Sequence, residues 1–220
     1  TTTTAKAVRD SVADAVRTGP YRGGVPLRQA AQRQTPRLSS GAAELDELLE
    51  GGLARGHVTE LVGPGSDSLA FEACVAFVVT ALCNGSEVLF IDTCNGLDLS
   101  RVRRVLTSAL KLKPVTVVDE ALARLHVVRA FSAVDLIHAL TELVPPHAAL
   151  VVVDSIFPVL SPLTAAPSSR SLAYATSVQV IRALKLAGAG RGEHQHQQSP
   201  PAVLVTNTLV KADNNSRKPG

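Results

Sequence analysis

The chain has 220 residues, of which 45% are hydrophobic but only 3% aromatic, with no Trp and no Met. That length supports one well-cored domain with a short appendage rather than two large ones, and a core so poor in aromatics must be built from Val, Leu, Ile and Ala, as in buried parallel sheets. A formal charge of +3 permits nucleic-acid contact without demonstrating it, and Cys74, Cys83 and Cys94, lacking a C-x-x-C spacing, argue against a disulfide framework or a zinc site.

Residues 5–17 place Val8, Val12 and Val16 at helical spacing and stop at Gly19-Pro20, which predicts a short amphipathic helix. Residues 18–37 offer Gly, Pro, Gln and Arg with almost nothing to bury, so 1–36 reads as a helix and exposed basic linker, and 37–220 as the compact domain. Tyr21, the linker's one aromatic, is either an exposed residue or an anchor for strand addition to a neighbouring subunit. Leu45, Leu48 and Leu49 stripe a helix closed by Gly51-Gly52.

From there apolar runs alternate with helical periods. Strands are expected over 58–62, 88–92, 125–130, 150–154 and 203–207, with helices at about 67–83, 98–111, 132–143 and 169–187. This alternation predicts an α/β fold whose mostly parallel sheet is covered by helices on both faces, with ligands beyond the carboxyl ends of the strands. Asp92, Asp154-Ser155 and Thr206-Asn207 end three of those strands. The run 70–82 is shorter than a membrane span and contains Glu72, and no signal-peptide pattern opens the chain. A soluble protein of a reducing compartment, cytosol or nucleus, is expected. The absent initiator Met and the ending Arg217-Lys218-Pro219-Gly220 suggest that these are not native termini.

The turn after the first long strand carries the chemistry. Gly63-Pro64-Gly65-Ser66-Asp67-Ser68 stands between a strand and a helix, where a P-loop would cradle nucleotide phosphates. A P-loop requires a Lys for the β and γ oxygens and a hydroxyl for Mg²⁺, yet those places fall near Ser68 and Leu69. Asp67 would repel the phosphate or replace it as a helix cap. The bland alternative is an ordinary tight turn capped by Asp67 or Ser66. A third reading takes Gly63-x-Gly65 with Asp92 as a dinucleotide fingerprint of an oxidoreductase, although its third glycine is missing. Val151-Val152-Val153-Asp154-Ser155 fits a Walker B strand whose carboxylate organises Mg²⁺, or a helix-capping Asp. His194 and His196 lie in a Gln-rich stretch with no third ligand, so no metal site is expected.

Separated segments then match in order: Leu38-Ser39-Ser40-Gly41 with Leu45-Asp46 and Gly52-Leu53, then Thr59-Glu60-Leu61-Val62-Gly63 and Val88-Leu89-Phe90-Ile91-Asp92-Thr93. Val127-Val128-x-Ala130-Phe131, the Asp154 strand with Ser161-Pro162-Leu163, and Val205-Thr206-Asn207 follow. Over about residues 37–210 this resembles the ATPase core of the eukaryotic RecA-family recombinases, and its details are most similar to the D-type branch of the recombinase paralogues. The X-ray-repair paralogue shares a similar second strand.

The resemblance implies a RecA-like P-loop ATPase core whose C-terminal strands lie beyond 220, and a nuclear protein of homologous-recombination repair. It implies other recombinase paralogues as partners and single-stranded or branched DNA as a further contact. The family's P-loop Lys and Ser/Thr have no counterpart in this sequence. Its water-positioning glutamate falls at Cys94, which cannot serve as a carboxylate base. Of the catalytic set only Asp154 remains, with Ser155 after it, so the expectation is a non-hydrolysing scaffold or mediator that helps load or stabilise recombinase on single-stranded DNA. Any ATP and Mg²⁺ would bind weakly, or at an interface with a partner. The DNA-facing loops would be 161–171, carrying Arg170, and 208–220, carrying Lys211, Arg217 and Lys218. The alternative is an ATP-binding, DNA-dependent ATPase with an atypical P-loop that recruits a cation such as Arg55.

Overall fold

The computed structural model describes residues 35–63, 69–111, 113–164, 170–190 and 199–208. The chain divides into two compact units, Thr1–Thr35 and Pro36–Gly220. The helix expected over 5–17, Tyr21, and the pair His194 and His196 lie outside the described residues.

The larger unit opens with a small antiparallel pair, β1 (Arg37–Leu38) and β2 (Leu53–Ala54), enclosing α1 (Ala43–Leu48). Asp46 ties this entrance together by accepting the Ser39 hydroxyl at 2.5 Å and the Ser40 N–H at 2.7 Å. Burial would raise its pKa, but these bonds and those from Gly41 outweigh it and hold the carboxyl below its ordinary range. Gly52 returns the chain with φ +108°, and a Cβ there would stand 2.2 Å from the Leu38 carbonyl oxygen. Only glycine fits so close an approach in that region of φ.

A five-stranded sheet forms the centre: β3 (Val58–Gly63), β4 (Glu87–Asp92), β5 (Leu125–Arg129), β6 (Ala148–Asp154) and β7 (Ala202–Thr208). Their order is β3-β7-β6-β4-β5 and every pair is parallel, so the last strand in sequence inserts beside the first. Between them run α2 (Leu69–Cys83), α3 (Leu99–Ala109), α4 (Val115–Leu122), α5 (Ala133–Glu142), α6 (Phe157–Thr164) and α7 (Arg170–Ala189).

Strand side chains alternate between two buried faces, which is why the central strands read as unbroken apolar runs. Val88, Phe90, Leu150, Val152 and Leu204 meet Phe77 and Val78 of α2, Leu106 of α3 and Val118 of α4. Leu89, Ile91, Val151, Val153 and Val205 meet Leu136 and Leu140 of α5 and Val180 and Leu184 of α7. The expected parallel sheet with helices on both faces is therefore the fold, a RecA-like α/β core.

Two helices depart from expectation. No element was expected over 115–122, where Val115-Thr116-Val117-Val118 has β-branched character, yet burial of Val118 and Ala121 against the first face makes it α4. The loop expected over 161–171 begins inside a helix: Pro162 lies within α6, and Arg170 opens α7. Pro158 sits in the first turn of α6, where a missing N–H costs nothing, and the packing of Val159 into the second core favours the helix.

Candidate functional site

The carboxyl ends of the strands converge on one edge. Parallel register places Asp92 of β4 beside Asp154 of β6, and Gly63 of β3 beside Thr208 of β7. Gly63 closes β3 and Leu69 opens α2, so the strand and helix that flank the expected phosphate turn are both formed. Pro64, Gly65, Ser66, Asp67 and Ser68 lie outside the described residues.

Asp92 is consumed by its own loop. Its Oδ1 accepts the N–H groups of Cys94 and Gly96, each at 3.1 Å, and its Oδ2 accepts that of Leu97 at 3.2 Å, while the residue is only 3% exposed. This folds the segment after β4 back over the strand end, and Asp98 then caps α3 through the N–H groups of Ser100 and Arg101. A carboxylate so enclosed has no room for a ribose hydroxyl, which removes the acid that the dinucleotide reading needs.

Asp154 is bound differently. Its Oδ1 accepts the Thr206 hydroxyl at 2.5 Å, from the neighbouring β7. Burial pushes its carboxyl above the ordinary carboxylate range, the Thr206 bond opposes the shift, and the Asp92 charge adds to it. The three ion pairs among the described residues are Arg37–Glu50, Arg101–Glu72 and Arg103–Asp119, so no Lys or Arg described pairs with either acid of the edge. Arg101, the nearest candidate in sequence after the Asp92 loop, is held by Glu72 with its guanidinium 5.8 Å from the Phe71 ring centre.

The remaining groups knit the strand ends together. The Thr93 N–H donates to the Asp154 carbonyl at 2.9 Å, the Thr93 hydroxyl donates to the Ser155 carbonyl at 2.5 Å, and the Ile156 N–H donates to the Thr206 carbonyl at 3.0 Å. The Asp154–Ser155 peptide bond is cis. Cys94 is exposed, its sulfur 3.5 Å from the Thr93 hydroxyl and 3.9 Å from that of Ser155. The edge thus gathers Cys94, Ser155 and Thr206 around a pair of acids, Asp92 and Asp154. Sequence reasoning placed Thr206 at a strand end but did not couple it to Asp154, because that coupling depends on β7 lying next to β6.

Arg55 does not belong here. It precedes β3 and lies at the amino end of the sheet, with its Nε bonded to the Pro200 carbonyl at 2.8 Å and its Nη2 to that of Ser199 at 3.0 Å. The six residues of β3 separate it from Gly63 by roughly 20 Å, too far for one side chain to reach a phosphate turn. Arg170 is the first residue of α7, whereas Lys211, Arg217 and Lys218 lie outside the described residues. Among the described residues there is no cluster of three metal-ligating side chains, and no helix long and apolar enough to cross a membrane.

Comparison with known proteins agrees with this architecture. The Rad51 family model matches residues 31–162, more than half of the chain. The DNA repair protein RAD51 homolog 4 of Bos taurus is 33% identical over 213 residues, covering 89% of this chain and 60% of that protein. Its Mus musculus counterpart is 31% identical over 199 residues, covering 86% of this chain and 56% of its own length. The DNA repair and recombination protein RadB of Thermococcus gammatolerans is 37% identical over 128 residues, or 54% of this chain and 51% of its own. The chain therefore spans about three fifths of the two RAD51 homologues. With a parallel sheet whose strands β4 and β6 end in Asp92 and Asp154, the chain belongs to the Rad51 family of RecA-like recombinases and their paralogues.

Proposed function

We propose that this chain is a non-hydrolysing recombinase paralogue that acts as a scaffold or mediator in recombinational DNA repair in the nucleus, helping to load or stabilise recombinase on single-stranded DNA. The observation that carries the reading is the acidic edge: Asp92 and Asp154 end adjacent strands, and no described cation is paired with either. A triphosphate brought there meets negative charge. The P-loop lysine that would offset it has no counterpart among Gly63, Pro64, Gly65, Ser66, Asp67 and Ser68. Cys94 stands where the family resemblance expects the glutamate that positions water, and a thiol does not supply a carboxylate base.

The sheet supports a scaffold role at its free side. Among the described residues β5 pairs only with β4, leaving its other edge open, and Val127 on that strand is 39% exposed. An open edge beside an exposed apolar side chain suits strand addition by another paralogue, with main-chain bonds giving affinity and alternate side chains giving specificity. DNA contact through Arg170, Lys211, Arg217 and Lys218 would be modest and strongly salt-dependent, because few phosphates are neutralised. Thermal unfolding with Mg-ATP, ADP and NAD tests the site. No shift is expected with any of them, and a rise of several degrees with Mg-ATP alone would establish a working nucleotide site.

A further inference from the structure

The outer face of α3 is basic. Between Leu99 and Pro114 the sequence places Arg101, Arg103, Arg104, Lys111 and Lys113, with no Asp or Glu among them. Val102 and Leu106 turn one side of the helix into the first core, so Ser100, Arg104, Thr107 and Ser108 share the side that faces solvent, and all four are exposed. Lys111 and Lys113 follow directly after the helix end and are exposed as well.

Local pairing uses two of these cations. Arg101 is held by Glu72 of α2, and Arg103 by Asp119 of α4 at 2.8 Å. Asp98, just before α3, is occupied as the helix cap by the Ser100 and Arg101 N–H groups. Arg104, Lys111 and Lys113 belong to no ion pair among the described residues. Of the acids on α2 and α4, the helices packed beside α3, Glu120 alone is likewise outside those pairs, so the face keeps an excess of positive charge. A helix C-terminus attracts cations within about one turn, which accounts for Lys111 but not for Arg104.

We propose that this face of α3, through Arg104, Ser108, Lys111 and Lys113, binds the phosphodiester backbone of DNA without regard to sequence. Phosphate oxygens are contacted chiefly by Arg, Lys and hydroxyl side chains, and such contacts position a protein on the strand without reading its bases. No aromatic occurs over 99–114, so nothing in that segment can stack on a base. An acidic protein would be drawn to the same charges, but the centres of protein interfaces are apolar or aromatic and poor in Lys. From Ser100 to Lys113 no described large apolar side chain is exposed. The inference rests on the repair role proposed above for the presence of DNA, and on the helix itself for the place where DNA is held. It adds a surface apart from the loops at 161–171 and 208–220, and it stands whether or not ATP binds at the Asp92 and Asp154 edge.

The test is fluorescence anisotropy of a labelled oligothymidylate titrated with the chain at several salt concentrations. Three neutralised phosphates contribute about −2 to the slope of log K against log salt, a loss of roughly twentyfold between about 50 and 200 mM. The triple variant Arg104→Gln, Lys111→Gln, Lys113→Gln is expected to remove that part of the slope while the melting temperature holds, since none of the three packs in either core. Arg182→Gln with Lys185→Gln, exposed on α7 at the other face of the sheet, is expected to leave the slope unchanged. A mixed-sequence oligonucleotide is expected to bind as tightly as oligothymidylate, and polyglutamate of equal charge to displace neither. A slope that survives in the triple variant overturns the α3 site and leaves the repair role standing, whereas no binding of DNA by the unaltered chain overturns both the site and the DNA contact of that role. An equal loss in the α7 variant, or displacement by polyglutamate, also overturns the assignment.

Discussion

Asp154 and Thr206 sit on neighbouring parallel strands, and the 2.5 Å bond from the Thr206 hydroxyl is the one described contact that compensates the half-buried Asp154 carboxylate. The Asp92 charge lies beside it in register and works against it. In a working nucleotide site an adjacent cation and a bound metal would offset such a pair of acids. Here three backbone N–H groups serve Asp92 and one hydroxyl serves Asp154, and the energetic state of the edge can be read from how the protein responds to changes at Asp154 and Thr206.

Thr206→Val keeps the β-branched shape and removes the donor. The half-buried carboxylate then loses its partner, and the expected destabilisation is about 1 kcal/mol at neutral pH. Denaturant unfolding of both proteins measures it, with the loss expected to shrink in acid, where Asp154 is protonated.

Asp154→Asn is expected to stabilise the fold at pH 7–8. The folded pKa of Asp154 is raised above its ordinary 3.8, so the folded state holds the proton more tightly than the unfolded chain does. Stability from this group is therefore greatest at low pH and falls as pH rises from 3.8 through the folded pKa. The amide removes that loss and still offers an oxygen to Thr206. A gain of about 2–4 °C in melting temperature, the effect of 1 kcal/mol in a domain of this size, is expected at neutral pH and should vanish near pH 4. Melting curves across that range check both halves.

Much of this architecture was legible in the sequence. Runs such as Val151-Val152-Val153 admit a strand buried on both faces, and the two cores show each face occupied. Asp92, Asp154 and Thr206 stood out because they follow such runs. The closure of Asp92 by the Cys94, Gly96 and Leu97 N–H groups was not legible, since it depends on the path of a loop rather than on a spacing. α4 and α6 were missed because a β-branched run and two prolines carry the wrong local preference, which packing overrode.

Gly52→Ala is expected to cost about 2–4 kcal/mol, because the new methyl meets the Leu38 carbonyl and the positive φ strains any L side chain. The damage should spread from the β1–β2 pair, which hydrogen exchange at Leu38 and Leu53 would report as early loss of protection.

Cys94→Glu places a carboxylate where the family resemblance expects one. It is expected to restore no ATP turnover, since the P-loop cation is still absent, and to lower stability by up to about 1 kcal/mol through repulsion from Asp92 and Asp154. A coupled phosphate-release assay and a melting curve on the same protein distinguish the two effects.

The most direct test of the central claim is phosphate release from Mg-ATP by the purified chain, with and without single-stranded DNA, beside an Asp154→Ala control. A chain that does not hydrolyse ATP gives the same background rate in both proteins under both conditions. Release above background that disappears in Asp154→Ala would show a working Walker B carboxylate and contradict the account.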